Sequence, residues 1–118
     1  MQIPKPSAAD VDRFRSAVPD DPRCEVKPMF GNLGAFVNGN MFMGLFGADI
    51  GVKLGPADAE ALRAIEGAGP FGPAERPMGG YVTLPPGLVG TPDGERWVAS
   101  SLAYVAALPP KVPKSAKP

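Results

Sequence analysis

Histidine is absent from this 118-residue chain, and cysteine occurs once, at Cys24. The first absence removes the commonest general base and the commonest metal ligand. Without histidine, a zinc site would need several thiolates, which the chain does not have. The second excludes an internal disulfide and fits a reducing cytosol. No apolar run approaches the roughly 18 residues of a membrane span, and Met1 to Ala9 holds no apolar core of signal-peptide length. A surplus of charge is missing too. Twelve Lys and Arg balance twelve Asp and Glu, so no overall field draws in nucleic acid or an anionic membrane. These absences predict a soluble, cytoplasmic protein with no metal, no cofactor and no membrane contact.

What is present is an ordinary globular balance, 44% hydrophobic and 20% charged, with 15 glycines and 16 prolines. The glycines fall inside and between hydrophobic runs, which points to turn-dense β structure rather than disorder. Residues 1–108 read as one domain, long enough to bury a core without staples. Pro109 to Pro118, with three lysines, four prolines and no acid, reads as a solvated, flexible tail.

Ser7 and Asp10 have the spacing of a capping box, and Val11, Phe14, Ala17 and Val18 follow at helical intervals until Pro19. From Cys24 to Leu54 the period changes to two. Cys24 to Phe30 reads as a strand interrupted by Pro28, which suits an edge. Leu33 to Val37 and Asn40 to Phe46 flank Asn38-Gly39, a strong hairpin signal because both residues tolerate positive φ. Ile50 to Leu54 follows. Pro56 opens a second helix that closes near Gly67, a Gly/Pro loop runs to Pro77, and Tyr81 to Leu84 is a further strand. Thr91-Pro92-Asp93 begins a last helix with Trp97, Val98, Leu102, Val105 and Leu108 on its apolar side. The fold class is therefore α+β: an antiparallel sheet of four to six strands with three helices, in the order α-β-β-β-(β)-α-β-α.

A register follows from the turns. A two-residue Asn38-Gly39 loop sets Val37 opposite Asn40, Phe36 opposite Met41 and Ala35 opposite Phe42. An Ala48-Asp49 loop would set Leu45 against Val52 and Met43 against Leu54. One face then carries Phe36, Met41, Met43, Leu45, Ile50, Val52 and Leu54 for the helices. The other carries Leu33, Ala35, Val37, Phe42, Phe46 and Lys53, with Gly44 and Gly51 between them. This second face is too apolar for open water. Either a partner chain covers it, making Leu33, Ala35, Val37, Phe42 and Phe46 a candidate interface, or the Gly67–Pro77 loop or a terminal segment does.

The run Met29-Phe30-Gly31, then Gly34, Asn38-Gly39 and Met41-Phe42, resembles the signature of the TfoX N-terminal domain family, also called TfoX/Sxy. Val52-Lys53-Leu54 and Tyr81 to Pro85 resemble two further strands of that family, and the likeness spans about residues 8 to 108. Pro28 stands where the family is commonly basic, with Lys27 one position earlier, and Asn32 stands where a second glycine is expected. The helical C-terminal domain of the longer competence regulators has no counterpart in this sequence. The resemblance implies a compact α+β fold, dimer formation and a role in regulating gene expression or competence.

Chemistry-bearing residues have structural readings as well. Gly31-Asn32-Leu33-Gly34 lacks the following helix and the Lys-Ser/Thr pair of a phosphate loop, so it reads as turn geometry. Cys24 has no histidine to activate it. Asp20, Asp21, Glu66, Glu75, Asp93 and Glu95 fall in loops or near helix ends, where capping and solvation explain them. Pro110-Lys111-Val112-Pro113 matches a proline-rich ligand by pattern alone. Phe42, Phe46 and Lys53 would share a face, as in single-strand RNA binders, but aliphatic neighbours and neutral charge argue for protein contact. The leading expectation is a non-enzymatic protein-interaction module, as a homodimer or with another protein. The alternative is direct nucleic-acid binding through Lys53, Lys27 and the tail lysines. A third, a methionine-lined small-molecule pocket between sheet and helices, has no converging polar group to recommend it.

Overall fold

The structure is a computed structural model that describes residues 4–29 and 31–110. Helix α1 (Ala8–Ala17) leads into four strands, β1 (Glu25–Met29), β2 (Asn32–Val37), β3 (Asn40–Phe46) and β4 (Asp49–Lys53). Helix α2 (Pro56–Arg63), the two-residue strand β5 (Gly69–Pro70), strand β6 (Tyr81–Thr83), a 3-10 turn (Pro86–Leu88) and helix α3 (Pro92–Ala106) complete the order. All six strands join one antiparallel sheet in the order β1-β2-β3-β4-β6-β5. This is the expected α+β class and element order.

The local signals explain the element starts. The Ser7 hydroxyl accepts from the Asp10 amide at 3.1 Å, and the Asp10 carboxylate accepts from the Ser7 amide at 2.9 Å, closing the capping box. Thr91 caps α3 by accepting from the Gly94 amide at 3.2 Å. Asn38 and Gly39 both adopt positive φ, 53° and 80°, as a tight hairpin turn requires. Helix α3 lies across β2, β3 and β4, while α1 meets β3 and α2 meets β6. Their side chains Phe14, Leu62, Val98, Leu102 and Val105 share one core with Val37, Met43, Ile50, Val52 and Val82 of the sheet.

Two register expectations are corrected. The second hairpin turns on Gly47-Ala48 rather than Ala48-Asp49, because Gly47 takes φ 63° and Asp49 pairs with Phe46. Leu45 accordingly faces Ile50 and Met43 faces Val52. A slip of two residues leaves every side chain on its expected face.

The other correction changes faces. Val37 pairs with Asn40 and Phe36 with Met41 as expected, but Ala35 pairs with Met43, so Phe42 is the extra residue of a β-bulge. Met41 and Met43 therefore point to opposite sides of the sheet. Phe36 and Met41 leave the helix side for the reverse face, and Leu33, Ala35 and Val37 take the helix side. At the bulge two successive carbonyls each have a hydroxyl partner. Ser101 Oγ, from α3, donates to the Phe42 carbonyl at 2.6 Å, while the Tyr81 hydroxyl donates to the Met41 carbonyl at 2.8 Å. Among the described residues, every buried side-chain nitrogen or oxygen has a hydrogen-bond partner.

Candidate interaction groove

The reverse face is built on glycine. Gly34, Gly44 and Gly51 are paired in line across β2, β3 and β4. A Cβ at Gly34 would lie 2.8 Å from Met41 Sδ, and one at Gly51 would lie 2.3 Å from the Phe71 ring. The stripe is the floor on which those side chains rest, and the Phe71 ring makes the closest approach, at Gly51. Phe71, in the Gly/Pro loop, is 2% exposed and meets Phe46 edge-on at 6.3 Å and Tyr81 at 6.1 Å between ring centroids. The loop is pinned at both ends: Thr83 Oγ1 donates to the Pro70 carbonyl, and the Met78 amide donates to the Phe71 carbonyl, both at 2.8 Å. The Arg76 amide closes a turn onto the Pro73 carbonyl at 3.0 Å.

Between this loop and the β1–β2 hairpin lies a groove of about 400 Å³. Met29, Met41, Met78, Phe46 and Phe71 supply its apolar wall. Asn32 borders it, but its amide is already engaged, donating to the Pro4 carbonyl at 3.0 Å and accepting from the Gly47 amide at 2.8 Å. Arg76 is the single charged residue among the described lining, and no carboxylate joins it. Such a site grips apolar surface and offers one cation at its margin.

The residues expected to form an interface do not share a surface. Ala35, Val37 and Phe42 are each 0% exposed and belong to the helix-side core, and Leu33 is half-buried against it. Of the five, Phe46 and the half-buried Leu33 line the groove, Leu33 while also packing against the core. The bulge at Phe42 is the reason, since it inverts β2 relative to β3. The Gly67–Pro77 loop, the other cover considered, does supply Phe71 over Gly44 and Gly51. Of the signature residues, Met29 and Met41 line the groove, Gly31 turns at φ 80°, and Phe30 lies outside the described residues. Met29, Met41 and Met78 do converge on a cavity, but on the side away from the helices, while Met43 lies in the core. Phe71, Arg76 and Met78 were not singled out from the sequence. A lone phenylalanine between Pro70 and Gly72 was the available signal.

Other candidates have local explanations. Lys27 pairs with Glu25 at 3.3 Å and lies 5.0 Å over the Phe36 ring, and Lys53 lies 5.7 Å over the Tyr81 ring. Both are thus occupied on the sheet, and the tail lysines at 111, 114 and 117 lie outside the described residues. Hydrogen bonds from Arg23 hold the Asp21 carboxyl down at about 2, well below the usual carboxylate range. Burial pushes the Cys24 thiol up, the opposite of what a nucleophile needs.

A family model of the TfoX N-terminal domain matches residues 18–105, from the end of α1 to the last turn of α3. This chain belongs to the TfoX N-terminal domain family. No curated protein and no solved structure matches it. The whole groove, from Met29 to Met78, falls inside the part of the chain that is TfoX N-terminal domain. No helix among the described residues of this domain is long and apolar enough to cross a membrane.

Burial pushes the Tyr81 phenol up to about 12. The unfolded chain would lose that proton first, near pH 10. The stability tied to neutral Tyr81 is therefore complete below pH 10 and declines as pH rises from 10 toward 12. In a Tyr104→Phe background, which leaves one tyrosine, phenolate absorbance should rise only near pH 12 or together with loss of the fold. Ionisation of the intact protein near pH 10 would contradict the buried hydroxyl.

Proposed function

We propose that this TfoX N-terminal domain is a non-enzymatic protein-interaction module, working in the cytoplasm in the regulation of gene expression or competence. Its docking surface is the groove on the reverse sheet face. The observation that carries the reading is the apolar cavity rimmed by half-exposed Met29, Phe46 and Met78 on a sheet whose other face is filled by helices. A well-formed apolar cavity with few polar groups is where binding is to be sought first. Methionine walls suit this use because they repack around different shapes. The family likeness supports the regulatory role and dimer formation, and the single cysteine fits the compartment.

Replacing Phe46 with serine tests this reading, because Phe46 borders the groove without belonging to the helix-side core. Phe46→Ser should leave cooperative unfolding intact. It should abolish association, read as concentration-dependent mass by sedimentation for a second copy and as crosslinking to a cytosolic partner otherwise. Apolar docking should also change little between low and high salt. Unchanged association in both readouts overturns the proposal. So does binding to nucleic acid that weakens steeply with salt.

A further inference from the structure

The groove restricts what can dock in it. Its volume, about 400 Å³, is near the lower end of cavities that hold small ligands, roughly 300–1,000 Å³. That space takes one or two side chains. Strand addition at the neighbouring edge is also disfavoured. β1 is the edge strand, Pro28 has no amide hydrogen to donate, and Glu25 and Lys27 pair along it. A partner must therefore reach in with a side chain.

Charge narrows the choice further. Arg76 is exposed, lines the groove, and among the described residues forms no ion pair. Its backbone is held by the Pro73 turn, inside a loop closed by the Phe71–Met78 hydrogen bond. The backbone that carries the cation thus has a set place on the rim. Glu75, its chain neighbour, is exposed and takes no part in the lining. In two copies meeting groove to groove, neither lining would supply an acid for Arg76. The complementary partner is a different surface, apolar at its tip and acidic beside it.

Resting on the interaction-module reading above, we infer that the groove receives a peptide segment of another protein that inserts one bulky apolar side chain and sets a carboxylate against Arg76. The side chain lies among Met29, Met41, Met78 and Phe71, and the adjacent Asp or Glu pairs with the guanidinium. The apolar anchor supplies most of the affinity. The exposed ion pair supplies selectivity and weakens as salt rises.

The test uses the full chain with carbon-13-labelled methionine methyls and four short synthetic peptides. These carry Phe-Glu, Phe-Gln, Phe-Lys or Ala-Glu at the centre of an otherwise neutral sequence. Phe-Glu should shift the Met29, Met41 and Met78 methyls and bind about fivefold tighter than Phe-Gln. Ala-Glu should bind at least tenfold more weakly than Phe-Glu. Arg76→Gln should remove the Phe-Glu advantage over Phe-Gln without weakening Phe-Gln itself, and added salt should do the same. Equal binding of Phe-Glu, Phe-Gln and Phe-Lys overturns the acidic inference while leaving the groove reading in place. Silence of all groove methyls toward every peptide, together with unaltered association of Phe46→Ser, overturns both. Shifts with 3-phenylpropionate but with none of the peptides would overturn the inference in favour of a small-molecule site. Concentration-dependent shifts of the same methyls in the protein alone would overturn it in favour of a second copy.

Discussion

Gly94→Ala should destabilise this protein by about 3 kcal/mol, although alanine is the better helix former by about 1 kcal/mol. Gly94 lies in the first turn of α3, and a Cβ there would sit 2.0 Å from the Leu88 carbonyl oxygen and 2.8 Å from its carbon. That oxygen cannot retreat cheaply. It accepts from the Thr91 amide at 3.0 Å and from Thr91 Oγ1 at 2.6 Å. Thr91 in turn caps the helix through the Gly94 amide. A methyl group at position 94 must therefore displace the 3-10 turn, break the cap or tilt α3 off the sheet. Each route loses hydrogen bonds worth about 1 kcal/mol apiece. Urea unfolding of the single variant measures the effect, and a Gly94→Ala protein as stable as the parent would show that the turn and helix are not in contact.

Phe42→Ala should cost about 3–5 kcal/mol, a large fraction of the roughly 5–15 kcal/mol that keeps a domain folded. Phe42 is fully buried, and its backbone carbonyl is anchored to Ser101. Removing the ring leaves a cavity beneath α3 at the one place where the sheet is irregular. Phe46, four residues along the same strand, is half-buried at the groove, and Phe46→Ser should cost no more than about 1 kcal/mol. Thermal or urea unfolding of the two variants side by side decides between the faces. Similar costs for the two variants would mean that β3 runs without its bulge, with both rings on one face. The contrast also limits how docking can be tested: a Phe42 substitution that loses association reports unfolding rather than a lost contact.

Most of the secondary structure was legible because it depends on neighbours in the chain. The Ser7–Asp10 capping box, the Asn38-Gly39 turn, Pro56 at the start of α2 and Thr91 at the start of α3 each act over two to four residues. The β3–β4 turn was misplaced by one residue, since Gly47 and Ala48-Asp49 are both credible turn sequences. What selects Gly47 is distant: its amide donates to Asn32 Oδ1 and Pro4 packs against it. Three of the five candidate interface residues, Ala35, Val37 and Phe42, turned inward for a related reason. Alternation in Leu33 to Phe46 has no mark of the extra residue at Phe42, and a single insertion reverses the faces on either side. The hydroxyls that stabilise the bulge come from Tyr81 and Ser101, 40 and 59 residues from the carbonyls they bind.

The amino-acid order alone determined the family, the α+β class, the order of the elements and the excess of apolar surface on the sheet, because periodicity, caps and turn residues are properties of short stretches. Only the tertiary structure decided which apolar residues face which way, that Phe71 is seated on a stripe of glycines, and that Arg76 stands beside the resulting groove. Those outcomes depend on contacts between residues far apart in the chain, where packing rather than local preference selects the arrangement.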